Sequence, residues 1–212
     1  MLHTYETPTL HLPRRWLDPG EVLYRQHEAS DTLYLVREGI LKTEVETVLG
    51  NRRVHELYGE GEFLGLAALE KVPGIHQERA VALGTCVLEP FDPNWAFDHK
   101  VFKESFARAL GAQLRRERER YARLELPVKA RVAAVMITLT ERFGRPSEGQ
   151  RLLKLALTHD DLAGLAQTAR ATVTATLQEL RKQHAVVGTR GVYRVNLSAL
   201  ELALDDYVLE AL

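Results

Sequence analysis

Arg170, Thr172, Thr174 and Gln178 lie along one side of a short stretch whose other side carries Val173, Leu177 and Leu180 at i, i+4 and i+7. A guanidinium, two hydroxyls and an amide on the free face of an amphipathic helix suit base edges and phosphate oxygens. Ala171 and Ala175 on the same helix offer methyl groups, which suit the thymine methyl. The chain just upstream supplies what such a helix needs. Thr158 and Asp161 have capping-box spacing and start a first helix, with Leu162, Leu165 and Ala166 as its apolar side. A second helix begins after Gln167, Thr168 and Ala169. Two helices joined by so short a turn form a helix-turn-helix, whose second member enters the major groove. Residues 185–195, AVVGTRGVYRV, predict a hairpin around Gly188-Thr189-Arg190-Gly191, a wing with Arg190 at its tip. Thr158 and Thr168, near helix starts, are expected on phosphates, and Arg190 on the flanking backbone.

Charge is distributed to match. Residues 126–196 carry 11 Lys+Arg against 5 Asp+Glu, a net +6, whereas residues 1–125 carry 17 against 20 and residues 197–212 none against 4. The positive charge therefore sits with the helix-turn-helix, as expected if phosphates are the partner. Other chemistries lack their residues. The single cysteine, Cys86, allows no intrachain disulfide and no cysteine-ligated metal centre. No His-x-His pair, nucleophile elbow, Walker loop or paired zinc-ligand motif occurs, so neither an enzyme, a metal nor a cofactor is expected. Lone histidines read as surface or structural. No apolar run reaches the length of a membrane span and the start lacks a secretory pattern, so a cytoplasmic location is expected.

From about Trp16 to Phe91, short apolar runs recur at intervals near ten residues (EVLYRQ, DTLYLVREG, ILKTEVETVL, RRVHELYG, EFLGLAAL, RAVAL, CVLEPF), punctuated by glycine turns. Many short antiparallel strands predict a sandwich or small barrel. The spacing of Phe97, Val101, Phe102, Phe106, Leu110, Leu114, Tyr121 and Leu124 then predicts one long helix from Asn94 to Leu124, with its stripe packed against a second copy of the chain. The run Arg115–Arg120 reads as a solvated face. Glu125-Leu126-Pro127 ends the helix and marks a hinge. Val128–Phe143 is helical again, 144–149 a loop, and Ser198–Glu201 a capping box opening a C-terminal helix with Leu200, Leu204 and Val208 as its stripe. The fold class is thus α+β: an antiparallel β-sandwich over 1–93, a dimerisation helix and hinge over 94–125, and a winged helix-turn-helix domain over 126–212.

This order of elements resembles the catabolite activator/fumarate-nitrate regulator (CRP/FNR) family of bacterial transcription factors. PGEVLYRQHEASDTLYLVREGILK is similar to the family's early strands, Gly61-Glu62-Phe63-Leu64-Gly65 to the turn opening its cyclic-nucleotide cassette, and Leu157–Leu177 to its helix-turn-helix. The resemblance implies a homodimer on two-fold symmetric double-stranded DNA, regulation of transcription, and RNA polymerase as partner where the regulator activates. It also implies an effector pocket around Phe63, Leu64, Gly65, Leu66, His76 and Gln77. The departures bear on that pocket. Cyclic-nucleotide-binding members have a glutamate for the ribose just after the glycine, where this chain has Leu66. Their Arg and Ser/Thr for the cyclic phosphate fall at His76 and Gln77, and a neutral histidine beside Glu78 opposes an anion. The family's Arg, Glu and Arg on the recognition helix fall at Arg170, Ala171 and Ala175, which leaves one direct guanine reader. Gln167 stands where the family often has a turn glycine, so a left-handed backbone there is strained. The expectation is a DNA-binding regulator independent of cyclic AMP and acting without an effector. The alternative is a receptor whose DNA binding is switched on by another small molecule in the sandwich.

Overall fold

A computed structural model describes residues 13–48, 50–70, 74–189 and 191–211. Contacts divide the chain into two compact units, one running to Thr43 and then Leu57–Arg116, the other comprising Glu44–Glu56 and the chain from Glu117 on.

The strands that precede any α-helix are β1 (Arg15–Leu17), β2 (Val22–Tyr24), β3 (Ala29–Ser30), β4 (Leu33–Glu38), β5 (Leu41–Glu46), β6 (Arg52–Tyr58), β7 (Phe63–Leu64), β8 (Gly74–Ile75), β9 (Arg79–Ala82) and β10 (Cys86–Phe91). They form sheets in the orders β1-β10-β4-β7 and β2-β9-β5-β6, with a short β3-β8 pair. β10 runs antiparallel between β1 and β4, pairing Arg15 with Leu88 and Leu33 with Phe91. Strand alternation divides the apolar residues between two clusters. Leu33 and Leu35 of β4 and Phe63 of β7 enter one, with Phe91. Tyr34, Val36 and Leu64 enter the other, with Leu23, Tyr24, Leu41 and Leu88.

Two helices follow, α1 (Pro93–Asp98) and α2 (Lys100–Ala122), where the heptad-like spacing predicts one. The backbone leaves helical geometry at His99, at φ −103° and ψ 116°. The imidazole Nδ1 of His99 lies 3.0 Å from the Trp95 carbonyl oxygen, and the two rings are 4.0 Å apart. The side chain therefore occupies an acceptor at the end of α1. The anchoring of α2 also differs from expectation. Phe102 and Phe106 are not seam residues: they are 3 % and 5 % exposed and complete the first apolar cluster. Phe63 meets their rings edge-on, at 5.6 and 5.0 Å. Burial of each aromatic contributes about 1.5–3 kcal/mol. The charge run is not simply solvated either, since Arg116 pairs with Glu62 at 2.9 Å and Arg120 with Glu117 at 2.8 Å, all four largely shielded.

After a short 3₁₀ turn at Arg123–Glu125, Pro127 stands at the N-cap of α3 (Val128–Phe143), which matches the predicted helix break and the helix after it. The predicted loop 144–149 is instead a tight hairpin joining β11 (Arg145–Ser147) to β12 (Gln150–Lys154). Glu148 and Gly149 take consecutive positive φ values of 48° and 76°, the geometry that lets two residues close antiparallel strands. Next come α4 (His159–Leu165), α5 (Arg170–Lys182), β13 (Val186–Thr189), β14 (Val192–Val195) and α6 (Leu197–Leu209). The second unit's sheet has the order β11-β12-β14-β13. The cap of α6 is Asn196, whose side-chain oxygen accepts from the Ala199 N–H, and not Ser198. Starting there, α6 buries Leu200, Ala203 and Tyr207 instead of Leu204 and Val208. It packs on α3, where the Lys129 ammonium sits 5.5 Å over the Tyr207 ring.

Candidate nucleic-acid interface

The first helix of the pair starts as its sequence predicts. The Thr158 N–H donates to the Asp161 carboxylate at 2.7 Å, and the Asp161 N–H returns a bond to Thr158 Oγ1 at 3.1 Å. The Thr158 hydroxyl also donates to that carboxylate at 2.8 Å. Its one hydrogen is thereby engaged, so a phosphate contact by this hydroxyl requires exchanging that bond. Gln167 turns the chain at φ 47°, a left-handed conformation that strains a residue other than glycine. Arg131 of α3 donates to the Gln167 carbonyl at 3.2 Å, and the Thr168 N–H to Ala163 O at 2.9 Å. These bonds hold the turn against the backbone strain.

α5 buries Val173, Leu177 and Leu180, as the spacing predicts, together with Thr176. Arg170, Ala171, Ala175 and Gln178 are exposed, and Thr168, Thr172 and Thr174 are half-buried. Together they form a ridge of small and polar groups above an apolar base. The Arg170 guanidinium lies 3.5 Å from the Asp160 carboxylate of α4, both well exposed. Thr174 Oγ1 lies 3.0 Å from the Arg170 carbonyl oxygen and 2.9 Å from Nδ1 of His159. Sequence reasoning missed His159 and Asp160 because neither belongs to a periodic pattern on α5. Burial, with Arg181 and Arg170 adding, holds the His159 pKa below its ordinary value, and Asp160 works against this.

In the wing, β13 and β14 pair from Val186↔Val195 to Thr189↔Val192. Gly191 has φ 78°, and a Cβ there would fall 1.9 Å from the Leu155 carbonyl oxygen, so only glycine fits. Arg181 of α5 donates to the Gly188 carbonyl at 3.1 Å, tying wing to helix. Arg190 lies outside the described residues.

The six residues expected around an effector have different surroundings. Alternation turns Phe63 toward the α2 aromatic cluster, which Leu66 also joins, and Leu64 toward the other core. Gln77 is exposed and donates to its neighbour Ile75 O at 3.1 Å. Gly65 has φ 78°, and a Cβ there would meet Thr32 O at 2.4 Å. His76 is 6 % exposed and stacks on Tyr24, with ring centroids 3.6 Å apart and 4° between planes. Burial, with Glu78 adding, pushes the Tyr24 phenol far above its ordinary range, opposed by a backbone hydrogen bond from Gly65. Burial also lowers the His76 pKa, against the pull of Glu28, Glu78 and Asp31.

On α2, Val101, Leu110, Leu114 and Tyr121 are exposed, as is Leu124 just beyond it. The side chain of Phe97 lies outside the described residues. Among the described residues no group of three or more His, Cys, Asp or Glu could hold a metal ion, and no helix is long and apolar enough to cross a membrane.

An antiparallel sandwich, a long helix and a C-terminal helix-turn-helix with a wing define a class of DNA-binding transcription regulators. Comparison with known proteins agrees. Residues 14–108 match the cyclic nucleotide-binding domain family, and residues 130–203 the Crp-like helix-turn-helix domain family. The chain is 33 % identical over 158 residues to the transcriptional regulator SdrP of Thermus thermophilus, covering 72 % of this chain and 73 % of that one. It is 26 % identical over 168 residues to a CRP-like cAMP-activated global transcriptional regulator of Mycobacterium tuberculosis, covering 76 % and 73 %. Its fold is similar to a crystal structure of a CRP/FNR-family regulator from Thermus thermophilus, with a TM-score of 0.78 and 26 % identity, over 92 % of this chain and 100 % of that one. The chain belongs to the CRP/FNR family of transcription regulators.

Proposed function

We propose that this regulator is a cytoplasmic homodimer that reads a two-fold symmetric DNA site with α5 and needs neither cyclic AMP nor another effector to do so. The observation that carries the reading is the exposed ridge of α5, with Arg170 free of the core and Val173, Leu177 and Leu180 fully buried beneath it. Arg170 forms a bidentate pair with a guanine, Ala171 and Ala175 meet thymine methyls, and Thr168, Thr172 and Gln178 approach bases or phosphates. Dimerisation uses Val101, Leu110, Leu114 and Tyr121, whose exposed apolar surface on α2 fits a helix–helix seam. As an activator, the dimer works through RNA polymerase.

Independence from cyclic nucleotides is supported by the Tyr24–His76 stack. The position that the family gives to a phosphate-binding arginine holds a buried neutral-leaning ring, already packed on an aromatic partner. The test is selection of random duplex DNA by purified protein without added ligand. Recovery of a symmetric site of about two helical turns is the expected result, and recovery of no specific sequence overturns it. Calorimetry with cyclic AMP should show no binding up to millimolar ligand; micromolar affinity overturns that part.

A second reading has its own observation. A cavity of about 400 Å³ is lined by Leu35, Phe63 and Phe102, with Arg37, Ser105 and Arg108 as its polar members. That volume suits a small amphipathic molecule. DNA affinity that rises only with such a ligand present would favour this receptor reading over the effector-free one.

A further inference from the structure

His159 links the two helices of the DNA-binding pair, and the link decides where its hydrogen sits. Thr174 Oγ1 has two polar neighbours, the Arg170 carbonyl oxygen at 3.0 Å and His159 Nδ1 at 2.9 Å. A hydroxyl has one hydrogen to give and lone pairs to accept with. A carbonyl only accepts. Both contacts are hydrogen bonds together only when the hydroxyl donates to Arg170 O and Nδ1–H donates to the hydroxyl. The helix–helix contact thus selects the Nδ1–H form and leaves Nε2 as the second ring position.

That leftover nitrogen determines what the ring can do beside DNA. In the neutral ring Nε2 is a bare lone pair, which repels a phosphate oxygen. In the imidazolium it is an N–H donor carrying positive charge, the better partner for a phosphate. On the reading of α5 as the base-reading helix, we propose that His159 is a proton-linked phosphate contact, which takes up a proton when DNA binds and donates from Nε2 to the backbone. The charged groups around the ring are Asp160 and Asp161 on its own helix, and Arg170 and Arg181 on α5. Asp161 is held by Thr158. Asp160 pairs with Arg170, and when Arg170 turns to a base, Asp160 is left uncompensated as a counter-charge for the imidazolium. Burial and the two arginines favour the neutral ring in the free protein, and an arriving phosphate reverses that preference.

The test measures binding of the full-length protein to the selected duplex by fluorescence anisotropy as a function of pH, at constant salt. The variant is His159→Asn, whose amide N–H takes the place of Nδ1–H toward Thr174 but does not titrate. Wild-type affinity is expected to tighten by about threefold to fivefold per protomer between about pH 8 and about pH 6, relative to the variant, as the ring takes up its proton on binding. Equal pH slopes for both proteins overturn the inference while leaving the regulator reading intact. A second measurement needs no variant: the His159 ring signal in NMR, titrated free and on DNA. A higher apparent pKa in the complex supports proton uptake, and an unchanged or lower one overturns it. Failure to form any specific complex at every pH overturns the effector-free reading of α5, and this inference with it.

Discussion

The Arg170 guanidinium rests 3.5 Å from the Asp160 carboxylate, so the residue assigned to guanine is already paired within the helix-turn-helix before DNA arrives. Both side chains are well exposed, and such pairs contribute little to stability, about 0–1 kcal/mol. The pair is therefore cheap to exchange for a base. Asp160→Asn should tighten DNA binding by about threefold to tenfold at low salt, by releasing Arg170 and removing a negative charge near phosphates. Arg170→Ala should cost about 1–3 kcal/mol of discrimination at one base pair in each half-site. Binding-site selection with each variant checks both, and an unchanged preference for Arg170→Ala refutes its role.

The Tyr24–His76 stack makes stability depend on pH in a definite direction. The folded protein holds the His76 pKa below 6.5, chiefly through burial. Below that ordinary value the unfolded chain binds more protons than the folded one, so stability falls as the pH drops toward the folded pKa. Above it the contribution is fully present. Thermal unfolding should show a lower melting temperature on acidification through this range, and His76→Phe should flatten the part of that slope due to this ring.

Phe102 and Leu114 sit on the same helix and should fail in different ways. Phe102 is in the core, and Phe102→Ala should destabilise the fold by about 3–5 kcal/mol. Leu114 is exposed, and Leu114→Glu should leave unfolding nearly unchanged while dissociating the proposed dimer. Denaturant titration read beside sedimentation distinguishes the two. A Leu114→Glu variant with unaltered mass in solution would remove the α2 seam.

Gln167 takes a left-handed conformation at φ 47° in the turn between α4 and α5. Gln167→Gly should stabilise the protein by about 1 kcal/mol by relieving that strain. The carbonyl that accepts from Arg131 is retained in the variant, so the gain isolates the backbone. A loss of stability in denaturant titration would show that the glutamine contributes more than its conformation costs.

Much of this architecture is legible along the chain because its signals are local. The Thr158–Asp161 box, the Val173–Leu177–Leu180 stripe and the Pro127 break each depend on residues within one or two turns. Phe102 and Phe106 were not legible as core, since the same helical spacing serves a helix packed on its own sandwich and one packed on a second chain. The Glu148–Gly149 hairpin hid behind a non-glycine residue at positive φ. His159 and His76 acquire their meaning from partners 15 residues away on α5 and far back on β2, through packing that no linear pattern carries.

The ridge of α5 presents Ala171 and Ala175 as bare methyl groups. A methyl packed against the major-groove edge of a pyrimidine senses the C5 substituent and makes no hydrogen bond to the base bearing it. On the reading proposed for α5, a cytosine methylated at C5 offers these two alanines the same surface as thymine. The operator would then carry positions where an epigenetic mark, written without any change of sequence, alters how tightly this regulator holds.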